Sequence, residues 1–170
     1  MATSSASAAE HRATATVVTE RLLLRPVRSG DVPAVTRLWT DPEVRRHLGG
    51  PVAAQVVRIR QRRVVGAPGV HAVVRAADGA LLGLVTVEPE ARNGETEVSY
   101  QFLPEHWGQG YAREAVAAAV ARALEDTPGV VAVTQEANHR SRRLLEAVGL
   151  THAKSFVEFD AHQVLYRRRV

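Results

Sequence analysis

At 170 residues, 45% of them hydrophobic and 24% charged, the chain has the size and composition of one globular domain with a buried core. It contains no cysteine, which excludes disulfides, thiolate nucleophiles and cysteine-ligated metals. The net charge of +4 comes from arginine, since only Lys154 among the 22 basic residues is a lysine. Because the arginines are scattered and aromatic residues make up only 5%, we expect a compositional bias and no specific nucleic-acid partner.

The amino-terminal residues MATSSASAAEHRATA carry neither a basic leader nor an apolar run, so they do not resemble a signal peptide. We predict a disordered tail over residues 1–16 and a single domain over 17–170. No uninterrupted apolar run approaches the ~20 residues that a membrane span requires. The expectation is therefore a cytoplasmic protein that makes no membrane contact.

The first third of the domain predicts a strand followed by two helices. TERLLLRPV (19–27) is a short apolar strand, and the turn at 29–31 caps a helix that ends near Trp39. A helical turn over 41–50 leads to a second helix over 51–66, whose arginines we expect to form a solvated face. One stripe of this second helix is formed by Val52, Val56, Ile59 and Arg63.

The middle of the chain predicts strands joined by tight turns. VHAVVRA and ALLGLVTV flank Asp78-Gly79, which is a hairpin signal, and residues 88–95 form a polar connection around Asn93-Gly94. The strand over 96–103 alternates between two faces. One face carries Val98, Tyr100 and Phe102, and the other carries Glu97, Ser99 and Gln101.

The remaining elements complete a mixed sheet. A long helix over 110–125 turns Val116, Val120, Ala123 and Leu124 inward and precedes a strand at 130–134, so strand, helix and strand form a parallel crossover unit. A short helix over 138–150 begins at Asn138, its N-cap, and two strands close the chain. We predict an α/β fold in which an edge strand such as 161–168 can support a homodimer.

The stretch PEHWGQGYAREA (104–115) lies between the strand at 96–103 and the long helix. Free amides at a helix amino terminus, approached through glycines, favour an anion such as a pyrophosphate. A P-loop is excluded because Tyr111-Ala112 follows Gly110 in place of Lys-Ser/Thr, and Arg113 stands where a dinucleotide fingerprint has its third glycine. The residues WGQGYA (107–112) resemble a third pattern, Gln/Arg-x-x-Gly-x-Gly/Ala, which is the acetyl-coenzyme A loop of the GNAT superfamily of N-acetyltransferases.

The whole sequence resembles the GNAT superfamily of N-acetyltransferases over roughly residues 17–168. TERLLLRP with Asp31, DPEV with HLGG, EVSYQFLPEHWGQGYAREA and NHRSRRLLEAVGL occur in the family's order. They are most similar to the branch that acetylates ribosomal-protein N-termini, which also holds antibiotic and polyamine acetyltransferases. The resemblance implies a mixed, mostly antiparallel seven-stranded sheet flanked by helices and splayed between the two central parallel strands.

The resemblance also implies acetyl-coenzyme A as cosubstrate, with no metal. Its pantetheine would run along Phe102 and Leu103, and Asn138 and Ser141 resemble residues that contact the cofactor. Trp107 replaces the Gln or Arg of the broad pattern, which leaves the loop amides intact. The pyrophosphate would meet the loop residues Gln109, Gly110, Tyr111, Ala112 and Arg113.

For the family, the chemistry is direct attack of an amine on the thioester, with a base for the amine proton and a donor for the departing thiolate. Glu97 is the candidate base, and a solvated carboxylate is the equal alternative. Ser141 is the candidate donor, because Leu145 stands where many members have a tyrosine; a hydroxyl bonded to local backbone is the equal alternative. Asn138 also serves as an ordinary N-cap.

The predicted function is an acetyl-coenzyme A-dependent N-acetyltransferase acting on a primary amine, either a protein N-terminus or a small molecule. The acidic stretch 88–97 favours a cationic acceptor. Three alternatives remain open: a catalytically silent acyl-coenzyme A or protein-binding module on the same fold, a nicotinamide-dependent oxidoreductase using the glycines as a dinucleotide loop, and nucleic-acid binding through the arginines.

Overall fold

The computed structural model describes residues 15–170, so most of the predicted tail lies outside the described residues. Within that range eight strands and four α-helices form one layered unit. The strands are β1 (Val17–Val18), β2 (Leu22–Pro26), β3 (Val70–Arg75), β4 (Leu81–Arg92), β5 (Glu95–Phe102), β6 (Gly129–Gln135), β7 (Thr151–Glu158) and β8 (Ala161–Arg169). The helices are α1 (Val32–Thr40), α2 (Ala54–Arg63), α3 (Tyr111–Leu124) and α4 (His139–Ala147).

All the strands lie in one sheet, in the order β1-β2-β3-β4-β5-β6-β8-β7. Every neighbouring pair is antiparallel except β5 and β6, which confirms the mixed, mostly antiparallel α/β fold. The count is eight where seven strands were predicted, because the two-residue β1 pairs with β2. The parallel pair is short: only Thr96 with Val130 and Glu97 with Val131 are in register, and the strands diverge beyond them.

The sheet is covered on both faces, and each face has its own apolar cluster. Alternation along β3 sends Val73 to the face of α3 and α4, and Ala72 and Val74 to the face of α1 and α2. The inward side of α3 is as predicted, with Val116 and Val120 fully buried. A sheet covered in this way holds its strands rigidly, which fixes where the two central strands separate.

Three details differ from the sequence predictions. β4 continues to Arg92, so only Asn93-Gly94 forms the turn; both have positive φ (+52° and +77°), as a two-residue hairpin turn requires. The stripe predicted on the second helix is not its buried side, because the only buried residue of α2 is Val57 while Ile59 is 49% exposed. The strand over 161–168 is not an edge, since β8 lies between β6 and β7.

The turn between β2 and α1 is fixed by a buried ion pair. Both oxygens of Asp31 accept from the Arg25 guanidinium (2.7 and 3.0 Å), and one also accepts from the Arg28 amide (2.7 Å). The two side chains are only 12% and 11% exposed. Burial alone would raise the pKa of Asp31, but the hydrogen bonds from Arg25 and Arg28 outweigh it and lower the pKa below its ordinary value.

We expect Asp31→Asn to destabilise the protein by about 2–3 kcal/mol at pH 7, because it leaves the Arg25 guanidinium buried without a counter-charge. The folded-state pKa of Asp31 is depressed. Its stabilisation is therefore present above about pH 4 and lost as the pH falls through the folded-state value. Urea denaturation gives the free energy of unfolding, and the difference between Asp31→Asn and wild type should become smaller as the pH falls from 7 to 3. Glu43→Gln, in an exposed pair with Arg46, is the control and should cost under about 0.5 kcal/mol.

Candidate active site at the opening between the central strands

The opening beside β5 is lined by main-chain groups. In the β4–β5 pair, Leu103 N donates to Leu82 O (2.9 Å), and hydrogen-bonded pairs recur at every second residue, so Gln101 also bonds to β4. The N–H and C=O groups of Tyr100 and Phe102 therefore point away from β4 and toward β6. Since β6 has already diverged, these groups face a gap where a ligand can pair with the strand.

The far end of this gap is bounded by Trp107. Its indole Nε1–H donates to the Phe102 carbonyl (2.8 Å), and the Arg140 guanidinium stacks over its ring at 4.3 Å. Both backbone groups of Leu103 already have partners, because its carbonyl accepts from His106 N (3.0 Å), and its side chain is only 2% exposed. Of the two residues predicted to line the pantetheine, Phe102 is therefore the one with a main-chain group directed into the gap.

The glycine loop leads directly into α3. Gly110 is the N-cap residue, with φ +81° in the left-handed region, and no side chain caps the helix. The first intrahelical bond runs from Glu114 N to Gly110 O (3.1 Å), so the amides of Tyr111, Ala112 and Arg113 have no acceptor within the helix. These three uncapped amides and the positive end of the helix dipole form a site suited to an anion.

Arg21, just before β2, holds the loop in this orientation. Its Nη1 donates to the Gln109 carbonyl (3.0 Å), its Nε pairs with Glu114 (2.7 Å), and its guanidinium stacks over Tyr111 at 4.5 Å. Because N–H and C=O point oppositely across a planar trans peptide, holding the Gln109 carbonyl directs the Gly110 N–H outward. Arg21 and Glu114 are positioning residues that the sequence motif did not indicate.

Across the gap, the first turn of α4 faces β5. Ser141 Oγ lies 2.7 Å from the Tyr100 hydroxyl, which links the two diverging arms of the sheet. Burial raises the pKa of Tyr100 to about 12, although the bond from Ser141 opposes the shift. Asn138 Oδ1 accepts from Ser141 N (3.1 Å), which is the predicted N-cap. Leu145 is a core residue, 1% exposed, so the phenol at this site comes from β5.

Two of the four glutamates in the acidic stretch 88–97 are paired with arginine. Glu97 Oε2 accepts from Arg92 Nε (3.0 Å), and Arg92 also contacts Glu158 (3.3 Å). Glu95 is held by Arg167 at 2.8 and 2.7 Å, and this hydrogen bonding lowers the pKa of Glu95. Glu97 stands where β5 and β6 are last in register, at the vertex of the opening. Glu88 and Glu90 are exposed and have no ion pair among residues 15–170, so the stretch keeps about half of the free negative charge that the sequence indicated.

A cavity of about 390 Å³ lies on the other face of the sheet, against the same open part of β5. We call it the α2 cavity. Its walls come from α1, α2 and the strands β4 and β5, and Ser99 and Gln101 line its floor. Within residues 15–170, no group of three or more His, Cys, Asp and Glu side chains is arranged to hold a metal, and no helix is long and apolar enough to cross a membrane.

The acetyltransferase (GNAT) domain family matches residues 21–151, so the chain belongs to that family. The FsC-acetyl coenzyme A-N(2)-transacetylase of Aspergillus fumigatus is 30% identical over 161 residues, covering 85% of this chain and 68% of the relative. The uncharacterized protein YkkB of Bacillus subtilis is 27% identical over 165 residues, covering 90% and 95%. The match to this family confirms the GNAT superfamily that the sequence motifs indicated.

Solved structures share the fold. A GNAT-family acetyltransferase from Bacillus anthracis superposes with a TM-score of 0.82 at 21% identity, covering 91% of this chain and 98% of that one. The spermidine N-acetyltransferase of Vibrio cholerae, in complex with CoA and spermine, has a TM-score of 0.75 at 18% identity, covering 89% and 96%. These likenesses establish the architecture of the sheet and its opening.

We expect Gly110→Ala to weaken acetyl-coenzyme A binding by about tenfold, because alanine is strained at positive φ. Its Cβ would also meet Arg21 Nη2 at 3.3 Å. Calorimetric titration gives the Kd. Gly30→Ala is the control, since Gly30 is outside the left-handed region and its Cβ would meet nothing within 4 Å. Unchanged affinity in Gly110→Ala would contradict the role of this loop.

Proposed function

We propose that this protein transfers the acetyl group of acetyl-coenzyme A to a primary amine by direct attack. The observation that carries the proposal is the divergence of β5 and β6 after Glu97 and Val131, next to the uncapped amino end of α3. The narrower resemblance, to the branch that acetylates ribosomal-protein N-termini, stays a prediction that rests on the motifs.

The described residues fit the cosubstrate at both of its ends. The outward N–H and C=O groups of Tyr100 and the outward N–H of Phe102 suit the amide groups of an extended pantetheine arm, whereas the Phe102 carbonyl is taken by Trp107. The amides from Gly110 to Arg113 suit the pyrophosphate, and Gln109 supplies the carbonyl that Arg21 anchors. Glu114 adds no repulsion there, because Arg21 and Thr19 pair with its carboxylate.

In the proposed reaction an amide N–C bond forms as the thioester C–S bond breaks, so one proton leaves the amine and the departing sulfur takes one. We assign the donor role to the Tyr100–Ser141 pair. One hydroxyl proton lies in the 2.7 Å bond between the two oxygens; the Tyr100 hydroxyl also makes a long 3.4 Å contact with the Ser141 carbonyl, from which the second proton can move to the sulfur. With its pKa raised to about 12, Tyr100 stays protonated at neutral pH. The sequence-based choice of Ser141 alone is therefore extended to two residues.

We assign the base role to Glu97. Its position at the vertex of the opening supports the assignment, and so does its side chain, which is 21% exposed and thus reachable by the amine or by one water. Arg92 holds the carboxylate in one orientation. An α-amine has an ordinary pKa of ~7.7–8.0, so it gives up its proton more readily than a lysine at ~10.4.

Tyr100→Phe and Ser141→Ala should each lower kcat by roughly 10²-fold, and the double variant should lose little more, since the two hydroxyls act as one donor. The Asn138 cap uses the Ser141 backbone amide and persists in Ser141→Ala. Steady-state release of coenzyme A measures kcat. The wild-type rate should not fall between pH 7 and pH 10, because burial raises the pKa of Tyr100 to about 12 and keeps its hydroxyl protonated over this range. Additive losses would contradict a shared role.

Glu97→Gln should lower kcat by at least about 10²-fold while leaving the Kd for acetyl-coenzyme A unchanged, because the amide cannot accept a proton. Glu88 lies directly opposite Glu97 on β4, so Glu88→Gln is a matched control that should retain full activity. Full activity in Glu97→Gln would remove it as the base. Tight acetyl-coenzyme A binding without turnover on any amine would instead indicate the silent module.

A further inference from the structure

The α2 cavity carries positive charge without matching negative charge. Arg60 and Arg63 line it from α2, and neither has a carboxylate within ion-pair distance among residues 15–170. Arg45 lies close by, and burial together with the charge of Arg60 lowers the pKa of Arg45. Among the residues that the structure describes, no Asp or Glu lines the cavity. Arg60 and Arg63 are two of the eleven arginines in residues 15–170 that have no ion pair within that range, and they are the two arginines that line this cavity.

The floor of the cavity supplies the opposite chemistry. The Gln101 side-chain oxygen Oε1 is buried and has no hydrogen-bond partner in the described part of the chain. A buried carbonyl left in this way costs about 1–3 kcal/mol, so such groups normally have a partner. Ser99 lies two residues earlier on the same face of β5, and it is exposed to the cavity. The floor therefore presents two oxygens, Gln101 Oε1 and the Ser99 hydroxyl, that can accept a hydrogen bond from an N–H group of a ligand.

The walls between these ends are apolar. Trp39 is 5% exposed, and the Arg60 guanidinium lies 5.7 Å above its ring. Ile59, unusually exposed for its type, faces the same space, which explains why the predicted stripe of α2 is not buried in the core. A volume of about 390 Å³ is within the range of small-molecule sites.

We propose that the α2 cavity binds the acceptor, and that this acceptor is a small primary amine bearing a carboxylate or phosphate group. The amine donates to Gln101 Oε1 near the opening, and the anion pairs with Arg60 and Arg63. The inference rests on the proposed acetyl transfer and narrows its substrate class. It differs from the cationic acceptor expected from residues 88–97, where Glu95 and Glu97 are paired with arginine and, within residues 15–170, Glu88 and Glu90 are not.

Pairs of acceptors with and without the anion test this proposal, and their rates are compared per unprotonated amine because the anion also raises the pKa of the amine. Rates of coenzyme A release are compared for phenylalanine and phenylalaninamide, for phosphoethanolamine and ethanolamine, and for spermidine. We expect kcat/KM to be at least about tenfold higher for the acid of each pair, as a charged hydrogen bond provides. The two pairs distinguish a carboxylate acceptor from a phosphate one.

Variants locate the anion and the amine separately. Arg63→Gln should reduce the ratio of kcat/KM for the acid to kcat/KM for its uncharged counterpart by about tenfold. Arg62 is exposed and lies outside the cavity, so Arg62→Gln should leave this ratio unchanged. Gln101→Leu should lower kcat/KM equally for acid and amide, since both carry the amine. The same variant should raise the thermal midpoint, because it removes an unpaired buried carbonyl. The Kd for acetyl-coenzyme A, equal in all variants, checks that they are folded.

The outcomes separate this proposal from the proposed function. Acetylation without preference for the acid, unaffected by Arg63→Gln, overturns the inference and leaves acetyl transfer standing. Turnover confined to an acidic peptide N-terminus overturns the small-molecule class. If no amine is acetylated, calorimetry of phenylalanine and its amide on the coenzyme A-saturated protein decides. If phenylalanine binds more tightly than its amide and Arg63→Gln removes the difference, the anion site is supported although the protein is not an acetyltransferase. If the two compounds bind equally, both the anion site and the proposed acetyl transfer are overturned.

Discussion

The divergence of β5 from β6 after two residue pairs is the constraint on which the rest of the structure depends. A parallel pair normally satisfies its backbone groups along its whole length, and a buried group left unpaired costs about 1–3 kcal/mol. Here the sheet gives up that pairing from Val98 onward, although both strands remain anchored by antiparallel neighbours. The N–H and C=O groups on this side of β5 are thereby held in place without a strand partner, and a ligand can pair with them.

Interactions around the opening keep it from closing or collapsing. Trp107 bonds to the last exposed carbonyl of β5, and the Tyr100–Ser141 bond spans the two arms at a fixed distance. Arg21 plays the same part at the glycine loop, where it bonds to the Gln109 carbonyl although it lies 88 residues earlier in the sequence. These polar contacts act together with the apolar cluster on the face of α3 and α4, against which Tyr100 and Trp107 pack, so the site is preorganised by both.

Local signals predicted much of this structure. Asn93-Gly94 predicted the turn between β4 and β5, the 3.6-residue period predicted the buried side of α3, and Asn138 predicted the N-cap of α4. Each of these features depends on neighbours only a few residues away. The pairs that define the site do not: Tyr100 meets Ser141 across 41 residues, and Arg21 meets Gln109 across 88. Tyr100 occupied a row with Val98 and Phe102, so its alternation indicated only core. The exposed side of α2 was missed because periodicity does not distinguish a cavity wall from a core.

The placement of the two tryptophans has a spectroscopic consequence. The chain has only these two; Trp39 forms a wall of the α2 cavity, while Trp107 lies at the glycine loop with Arg140 stacked on its ring. Each proposed ligand therefore has its own fluorophore. A chain reduced to one indole would report filling of one site through intrinsic emission, and the order in which the two ligands arrive becomes readable without any label.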